Sequence, residues 1–415
     1  MLKFAVAATV SLLTFAAVSS EAATPPPQLL RTLDGNGNNL QHPTWGTAGT
    51  FYSRVAAPNY ADGAGSMVAG PSARYISNRV FNDVGQNVFS ENEITQWGWA
   101  WGQFIDHDIG LRDETPAESA PIPFNQNDPL EQFSNETGQV DFARTPGVGS
   151  PRQQVNTLSS FIDASQVYGV TASRDTWLRQ GGRLLLPGGY LPLAGARGNV
   201  AAAPPMDLMG RLTGQPQDAV VAGDVRANEN IALTAIQTLF AREHNRIVDQ
   251  LPRVLTDESK FQIARRVVGA EIQFITYNEF LPDLGVKLPA YNGYNPSVDP
   301  TLANEFATVG YRAHSMVHGE FEPTLSAGTF SQGDLRFYAQ QGITIETNSD
   351  QSVTLVIPLA VAFGFPALLK RIGEGPVLGS LNEREYNNDE QMDNSLRSIL
   401  FQVPKPGTPR KIEGA

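Results

Sequence analysis

Four polar side chains lie within six residues of an otherwise apolar segment and could carry acid–base chemistry. Gln103 and His107 are four residues apart, so on a helix an amide and an imidazole would share one face. Asp106 would flank that face, and Asp108 would point away from it. Burying such groups without partners is costly, so we expect them to meet a ligand, a metal or each other. The alternative is a buried histidine that is satisfied by a backbone carbonyl.

Two further sets of charged and imidazole side chains have a helical spacing. Arg226, Glu229 and Asn230 are at i, i+3 and i+4, so a guanidinium and a carboxylate would share a face, as in an ordinary surface ion pair. His314 and His318 form a His-x-x-x-His pair that could face a metal. Because no Glu follows the first of these histidines, the pair does not match the zinc proteases.

Oxygen-bearing groups are concentrated in one predicted loop. Ser159, Asp163, Ser165 and the carbonyl of Phe161 could turn toward one hard cation, and Asp108 could supply a second carboxylate. Calcium takes about six to eight oxygen ligands in flexible loops of this kind, whereas magnesium does not. Ser and Asp in loops more often make turns, so the pattern alone is weak.

The two other histidines predict no chemistry. His42 lies in a segment rich in Pro, Gly and Asn, and His244 lies in a charged helical segment. We expect structural roles for both.

Predicted helices position most of these groups. Apolar residues recur at helical spacing after a predicted capping box of Ser90 and Glu93, and Asp224 is the predicted cap of a second helix. The predicted helices cover residues 94–109, 224–247, 260–275 and 302–317. The two predicted strands cover residues 184–191 and 352–359. The expected fold class is mainly α, with long irregular loops and little β-structure.

Composition restricts the class of protein. The chain has 415 residues, 41% of them hydrophobic and 17% charged, which excludes a disordered or fibrous protein. Its net charge of −12 argues against a nucleic-acid backbone or an anionic membrane as a partner. The absence of cysteine excludes disulfides, thiolate nucleophiles and iron–sulfur clusters. Any redox chemistry must therefore come from a cofactor.

The N-terminal region predicts export. Residues 1–22 combine a basic start, an apolar stretch and small residues at 20 and 22, which is typical of a cleaved secretory signal peptide. Residues 23–75 predict an irregular arm, and residues 76–415 are expected to form the main domain. No later apolar run is long enough to span a membrane, so we expect a secreted or periplasmic protein.

Four motifs together resemble the animal-type haem peroxidases of the peroxidase–cyclooxygenase superfamily. In order, they are similar to that family's distal-helix, calcium-loop, distal-arginine and proximal-histidine motifs. They read WGQFIDHD (101–108), LSSFIDASQVYG (158–169), GDVRANEN (223–230) followed by REHNR (242–246), and GYRAHSMV (310–317). The resemblance covers roughly residues 75–405 and indicates a bacterial-like secreted member with that family's helical domain.

The resemblance implies a catalytic set. His107 would be the distal histidine, which takes a proton from peroxide as a base and returns it as an acid. Arg226 would stabilise the charge that develops as the O–O bond breaks, and Gln103 would orient a distal water or small anion. His314 would be the axial ligand of the haem iron, and His318 would be structural.

The resemblance also implies two cofactors, haem b and Ca²⁺. Asp106 and Glu229 match the carboxylates that form ester links to haem in this family. The implied calcium ligands are Asp108, Ser159, the Phe161 carbonyl, Asp163 and Ser165. One helical turn would then join the cofactor, the catalytic base and the cation.

Three departures from the family pattern leave alternatives open. Asn230 occupies the position of a haem-linked Met in one mammalian member, so no sulfonium link is possible here. Tyr311 precedes His314 by three, where the oxygenase branch has its radical-forming tyrosine and many peroxidases have Arg. No Arg-Asp-His-Gly motif follows, and no histidine lies beyond His318, so the C-terminal portion of the family domain is expected to be missing.

The function expected from the resemblance is a secreted haem peroxidase, which would reduce hydrogen peroxide and oxidise small organic or halide donors. One alternative is a haem-dependent fatty-acid dioxygenase that uses Tyr311. The other is a truncated, non-catalytic extracellular protein that binds haem and calcium.

Overall fold

The computed structural model describes residues 31–80, 90, 92, 94–112, 118–124, 127–128, 138–208, 210–312, 316–317, 320–322, 324–340 and 342–358. Several sequence predictions lie outside these residues. They are the signal peptide at 1–22, the capping residue Glu93, the histidines at 314 and 318, and everything after residue 358.

Helices account for most of the regular structure among the described residues. The α-helices are α1 (Ala73–Val80), α2 (Gln96–Ile109), α3 (Ser165–Tyr168), α4 (Ala172–Leu178), α5 (Ile231–Gln250), α6 (Asp257–Ile275), α7 (Leu281–Asp283) and α8 (Gln332–Gln340). Single 3-10 turns are Pro187–Gly189, Ala194–Arg197, Val200–Ala202, Gly210–Thr213 and Pro216–Asp218, and π-helical turns are Thr276–Phe280 and Phe306–Gly310. The expected mainly α fold class is confirmed.

The strands are short and form small antiparallel pairs, with one larger sheet. They are β1 (Thr50–Phe51), β2 (Glu118–Ser119), β3 (Ile122–Pro123), β4 (Gln139–Val140), β5 (Ala143–Arg144), β6 (Val155–Asn156), β7 (Arg179–Gln180), β8 (Arg183–Leu184), β9 (Glu320–Phe321), β10 (Thr324–Leu325), β11 (Thr344–Thr347) and β12 (Val353–Pro358). The two-stranded pairs are β1 with β6, β2 with β5, β3 with β4, and β7 with β8. In the larger sheet β12 pairs with β9, β10 and β11, with Thr354 opposite Thr324 and Glu346.

The core lies where α5 packs against α2 and α6. Trp101 and Phe104 of α2 meet Phe240 of α5, and the rings of Phe104 and Phe240 stack with centroids 5.3 Å apart. All three side chains are almost fully buried. Because its inner face is occupied by these rings, α2 presents its polar residues on another side.

The first predicted helix is confirmed as α2, but its start is not. The capping box at Ser90 does not begin the helix. Thr95 is the N-cap instead, and its side chain makes no capping hydrogen bond. The third predicted helix is α6, which begins at Asp257, three residues earlier than expected, because the Thr256 hydroxyl caps it by accepting from the Ser259 N–H.

The second predicted helix, α5, begins seven residues later than expected. Asn230 is its cap, with a side-chain oxygen that accepts from the Leu233 N–H at 2.9 Å. Asp224 cannot serve as the cap because its carboxylate is bonded to the backbone and guanidinium of Arg226. The i, i+3, i+4 helical relation predicted for Arg226, Glu229 and Asn230 is therefore wrong, since residues 224–229 form turns.

The fourth predicted helix, over 302–317, is also wrong in extent. Its described part ends as a π-helical turn at Gly310, and Tyr311 leaves helical geometry with φ −105° and ψ 62°. The Tyr311 ring stacks on Phe306, and its hydroxyl donates to the Gly102 carbonyl of α2 at 3.0 Å. The hydrogen bond to α2 therefore outweighs the helical pattern of the sequence at Tyr311.

The strand predictions fare unequally. The pattern at 352–359 is confirmed as β12, whereas only the first residue of the 184–191 pattern is in a strand. The chain turns after Leu186 because Gly188 and Gly189 have φ angles of +62° and +83°, which favour glycine. Within the described residues, no helix combines the length and apolarity that crossing a membrane requires.

The two other histidines among the described residues, His42 and His244, have packing roles. His244 is buried, with Nδ1 2.9 Å from the Tyr168 hydroxyl and Nε2 3.0 Å from the Gly182 carbonyl. His42 stacks on Trp45 with ring centroids 3.7 Å apart.

Candidate active site

Two neighbouring parts of the chain bring the predicted catalytic residues together. The polar side of α2 carries Gln103, Asp106 and His107, and the turn that precedes α5 carries Arg226 and Glu229. The packing of α2 against α5 fixes the distance between them. Side-chain contacts at 3.6 Å or less link the two groups, so five residues predicted from the sequence converge in the structure.

His107 lies between two carboxylates. Its Nε2 is 3.6 Å from Glu229 Oε2, and its Nδ1 is 3.6 Å from Asp224 Oδ1. Both distances are too long for a hydrogen bond, and the buried Nδ1 has no hydrogen-bond partner. Burial, reinforced by the nearby Arg226 charge, lowers the pKa of His107 to about 3. The imidazole is therefore neutral at pH 7 and has a free lone pair with which to act as a base.

Arg226 is held in one orientation by Asp224. Its backbone N–H and Nε donate to Asp224 Oδ1 at 2.9 and 2.8 Å, and its Nη2 donates to Oδ2 at 2.9 Å. Nη2 also donates to the Gly110 carbonyl at 3.1 Å. Burial disfavours the cation, but the charge and hydrogen bonds of Asp224 outweigh it and raise the pKa of Arg226. The guanidinium is thus a fixed positive charge beside His107.

Gln103 links the two parts of the site. Its amide Nε2 donates to Glu229 Oε2 at 2.5 Å, and its Oε1 accepts from Asn230 Nδ2 at 2.6 Å. Asn230 therefore caps α5 and orients Gln103 at the same time. Burial raises the pKa of Glu229 to about 7, although Arg226 opposes the shift.

Asp106 is one of two carboxylates in the site whose side chains are partly exposed. Its carboxylate is 3.6 Å from Arg226 Nη1 and 3.8 Å from Arg312 Nη1, and 21% of its side chain is exposed. Burial raises its pKa, and the two arginines counteract part of that effect. A second carboxylate, Glu229, is 26% exposed at the same site.

The predicted calcium residues surround the opposite side of α2. Asp108 accepts from the backbone N–H groups of Ala164 and Ser165 at 3.1 and 2.6 Å, and the Ser165 hydroxyl donates to the Asp108 carbonyl. The Ser159 hydroxyl donates to Asp163 Oδ2 at 3.1 Å. The structure thus brings the end of α2 and the predicted calcium loop into direct contact.

Two buried carboxylates, those of Asp108 and Asp163, interact electrostatically in this region. Burial and the field of Asp163 raise the pKa of Asp108, and burial raises the pKa of Asp163 to about 6 although Arg265 opposes it. Asp163 Oδ1 is buried without a hydrogen-bond partner, and a bound cation would satisfy it. In the described part of the chain, no group of three or more His, Asp or Glu side chains is arranged as a metal site. The remaining predicted ligands are hydroxyls and the Phe161 carbonyl.

The predicted iron ligand, His314, lies outside the described residues. The residues on the distal side fit a haem in three respects. They supply a neutral imidazole, a fixed guanidinium and two partly exposed carboxylates on one side. These are the groups that the sequence motifs predicted for the distal side.

The position of Asp224 in the site differs from the prediction, because the sequence pattern indicated a helix cap at this residue. The signal that could have revealed it is the Gly-Asp pair just before Val225 and Arg226. A Cβ on Gly223 would lie 2.4 Å from the Ser165 carbonyl oxygen and 2.5 Å from the amide nitrogens of Tyr168 and Gly169. Only glycine permits this approach, which places Asp224 beside α3 and α2.

Comparison with known proteins identifies similar sequences and folds. The family model described as "Animal haem peroxidase" matches residues 30–408. Peroxidasin of Drosophila melanogaster is 32% identical over 344 residues, which are 69% of this chain and 22% of that protein. Peroxidase mlt-7 of Caenorhabditis elegans is 32% identical over 389 residues, which are 85% of this chain and 52% of that protein. The chain thus spans between about a fifth and a half of the length of these relatives.

Solved structures agree with these sequence matches. Peroxidase A from Dictyostelium discoideum superposes with a TM-score of 0.65 at 27% identity, covering 84% of this chain and 67% of that one. A fatty acid alpha-dioxygenase from Arabidopsis thaliana superposes with a TM-score of 0.55 at 15% identity, covering 90% and 69% of the two chains. The second similarity concerns the fold alone.

Proposed function

The chain belongs to the animal haem peroxidase family, and we propose that it is a haem peroxidase which reduces hydrogen peroxide and oxidises small organic or halide donors. The observation that carries this proposal is the convergence of a neutral His107 and a fixed Arg226 cation on one side of α2. Both side chains contact Asp224, and a base and a cation placed together are the two groups that heterolysis of an O–O bond requires.

A haem would be held on this side of α2. Its axial iron ligand would be His314, and the partly exposed carboxylates of Asp106 and Glu229 would form the ester links. When bound, the haem would supply the redox-active iron at which peroxide is reduced. Gln103 donates a hydrogen bond that fixes Glu229, and Asp106 lies 3.6 Å from Arg226 Nη1.

His107 moves the proton in this proposal. Its Nε2 takes the proton from the peroxide oxygen that stays behind and gives it to the other, departing oxygen, which leaves as water. Because the pKa of His107 is low, the ring is in the basic form at neutral pH. Arg226 stabilises negative charge on the departing oxygen, an effect worth about 10²–10³ in rate at comparable sites. Gln103 orients the water or anion between them.

The calcium ion would bind at the other side of α2. Its ligands would be the carboxylates of Asp108 and Asp163, the hydroxyls of Ser159 and Ser165, and the Phe161 carbonyl. The unpartnered Asp163 oxygen and the two buried carboxylates support this assignment. Since residues 106–108 are consecutive, cation loss would disturb the orientation of His107.

The N-terminal pattern supports export, with residues 1–22 as a signal peptide, 23–75 as an irregular arm and 76–415 as the peroxidase domain. Helix α1 crosses the boundary at 75–76. The expected partners are hydrogen peroxide and a small reducing substrate, not nucleic acid.

One observation favours a second candidate function, a fatty-acid dioxygenase. Tyr311 occupies the position of the radical tyrosine in the oxygenase branch, and its hydroxyl donates to the Gly102 carbonyl within the distal helix. Burial raises the pKa of Tyr311, so the phenol stays protonated. Oxygen uptake with a polyunsaturated fatty acid, lost in Tyr311→Phe, would support this function, and no uptake would exclude it.

The test of the peroxidase proposal is donor oxidation by the purified, haem-loaded chain. We expect a Soret band, peroxide-dependent oxidation of a phenol, and a loss of at least about 100-fold in kcat/KM for peroxide in His107→Gln. His42→Gln is the matched control, because His42 is a histidine that only stacks on Trp45. A chain without a Soret band, or a His107 variant with unchanged turnover, would refute the proposal. A chain that shows a Soret band but oxidises no donor would favour the non-catalytic alternative.

A further inference from the structure

Asp224 lies between the two groups assigned to catalysis and has no role in the proposed function. Its side chain is 1% exposed, and one oxygen, Oδ1, is 2.8 Å from Arg226 Nε and 3.6 Å from His107 Nδ1. Resting on the peroxidase function proposed above, we propose that Asp224 is a positioning residue. It fixes which nitrogen of His107 carries the proton and which nitrogen of Arg226 faces the site.

Hydrogen bonds hold the Arg226 guanidinium in one orientation. Asp224 accepts three hydrogen bonds from this one residue, from its backbone N–H, Nε and Nη2. Nη2 is also bonded to the Gly110 carbonyl. The third guanidinium nitrogen, Nη1, bonds to neither of these groups and lies 3.6 Å from the partly exposed Asp106 carboxylate. The planar guanidinium thus makes three hydrogen bonds, two to Asp224 and one to Gly110, and has little freedom to rotate.

The effect of Asp224 on His107 is electrostatic. The ring is equally distant from two carboxylates, but these differ in burial, with Asp224 at 1% exposure and Glu229 at 26%. The charge of a buried carboxylate is screened far less than that of a partly solvated one. Asp224 therefore attracts the N–H to Nδ1, and Nε2 keeps its lone pair on the side of Gln103 and Glu229. That side is where the peroxide proton has to be accepted.

The backbone explains how Asp224 reaches this position. Its N–H donates to the Gln166 carbonyl of α3 at 3.1 Å, and the Gln166 amide donates to the Phe104 carbonyl of α2 at 3.3 Å. Gly223 permits the close approach to α3 described above. The position of Asp224 is thus set by α3 and α2 together, independently of the Arg226 side chain.

The experiment replaces Asp224 by Asn in the full, haem-loaded chain. The neutral Asn amide removes the negative charge that favours the N–H on Nδ1, so the His107 proton can move to Nε2 and remove the base from the site. We expect kcat/KM for peroxide to fall about 10–100-fold, with KM for the reducing donor unchanged. Asp207→Asn is the matched control, since Asp207 is exposed and its backbone N–H is bonded to Val225 next to Asp224.

A second readout does not depend on turnover. ¹⁵N NMR of the histidine-labelled chain, loaded with diamagnetic zinc protoporphyrin, reports the tautomer of each of the five histidines. The His107 signal is assigned by its loss in His107→Gln. We expect Nδ1–H in the wild-type chain and in Asp207→Asn, and a shift toward Nε2–H in Asp224→Asn.

These readouts separate the two proposals. Wild-type His107 in the Nε2–H form would overturn the role of Asp224, even if Asp224→Asn did not fold. An Asn variant with unchanged tautomer and unchanged peroxide kcat/KM would overturn it as well. If the wild-type chain lacked peroxidase activity, the function would be refuted, while the tautomer measurement would still decide the role of Asp224.

Discussion

The buried pair of acids between α5 and α6 predicts an unusual dependence of stability on pH. Glu243 of α5 is bonded by both Nε and Nη2 of Arg246, at 2.8 and 2.6 Å. Glu271 of α6 shares a side-chain hydrogen bond with Glu243, so one of these carboxyl groups must carry a proton. Burial, followed by the charge of Glu243, raises the pKa of Glu271 to about 8.

The sign of the effect follows from the proton count. Between the ordinary carboxyl pKa near 4.5 and the folded pKa of about 8, the folded state binds a proton that the unfolded state has lost. Stability therefore falls as the pH rises through this window, by at most about 1.4 kcal/mol per pH unit. The whole window corresponds to an upper bound of roughly 4 to 5 kcal/mol.

The perturbation is Glu271→Gln, whose neutral amide can donate to Glu243 as the protonated acid does. We expect the variant to match the wild-type chain near pH 4.5 and to exceed its stability by a few kcal/mol above pH 8. The assay is urea unfolding of the haem-loaded chain, followed by circular dichroism from pH 5 to 9. The matched control is Glu258→Gln on the same helix, where the carboxylate is 58% exposed and paired with Arg179. Equal pH slopes in the wild type and in Glu271→Gln would refute the reasoning.

Three further predictions concern the site and its supports. Phe240→Ala should destabilise the chain by about 3–5 kcal/mol in urea unfolding, because it removes a ring that stacks on Phe104 and packs against Trp101. A loss below about 1 kcal/mol would contradict this packing. Asn230→Ala should lower the free energy of unfolding by about 1–2 kcal/mol, because α5 loses its cap. It should also lower kcat for peroxide, because Gln103 loses a hydrogen bond. The absence of both effects would contradict the double role of Asn230. EGTA should lower the thermal unfolding midpoint of the wild-type chain but not that of Asp163→Asn, and an EGTA-insensitive wild type would argue against the calcium site.

Local periodicity was enough to predict the three longest described helices, because α2, α5 and α6 are amphipathic or buried over many turns, but it did not predict the shorter ones. Periodicity did not predict the residues at which these helices begin, because side-chain hydrogen bonds determine them. Asp224 looks like a cap in the sequence, yet its carboxylate is taken by Arg226, and the neighbouring Asn230 caps the helix instead. The helix expected after residue 302 fails for a different reason, since the phenol of Tyr311 is held by α2.

The residues of the candidate site were easier to predict from the sequence than the hydrogen bonds between them. The pairing of Gln103 with His107 follows from a spacing of four, and the structure places both beside Glu229. The bond from Asn230 to Gln103 and the position of Asp224 depend on how a turn packs against α2, which no local pattern encodes. Gly223 was the available signal, because its close contact with α3 demands the absence of a side chain.

The central claim is that a haem lies between the imidazoles of His107 and His314, with Arg226 beside its distal face. A crystal structure of the chain after haem reconstitution tests this claim most directly. We predict an iron bonded to His314, with Nε2 of His107 facing the opposite side of the metal without bonding to it. Haem bound elsewhere, or an iron bonded to a different residue, would contradict the assignment of the site.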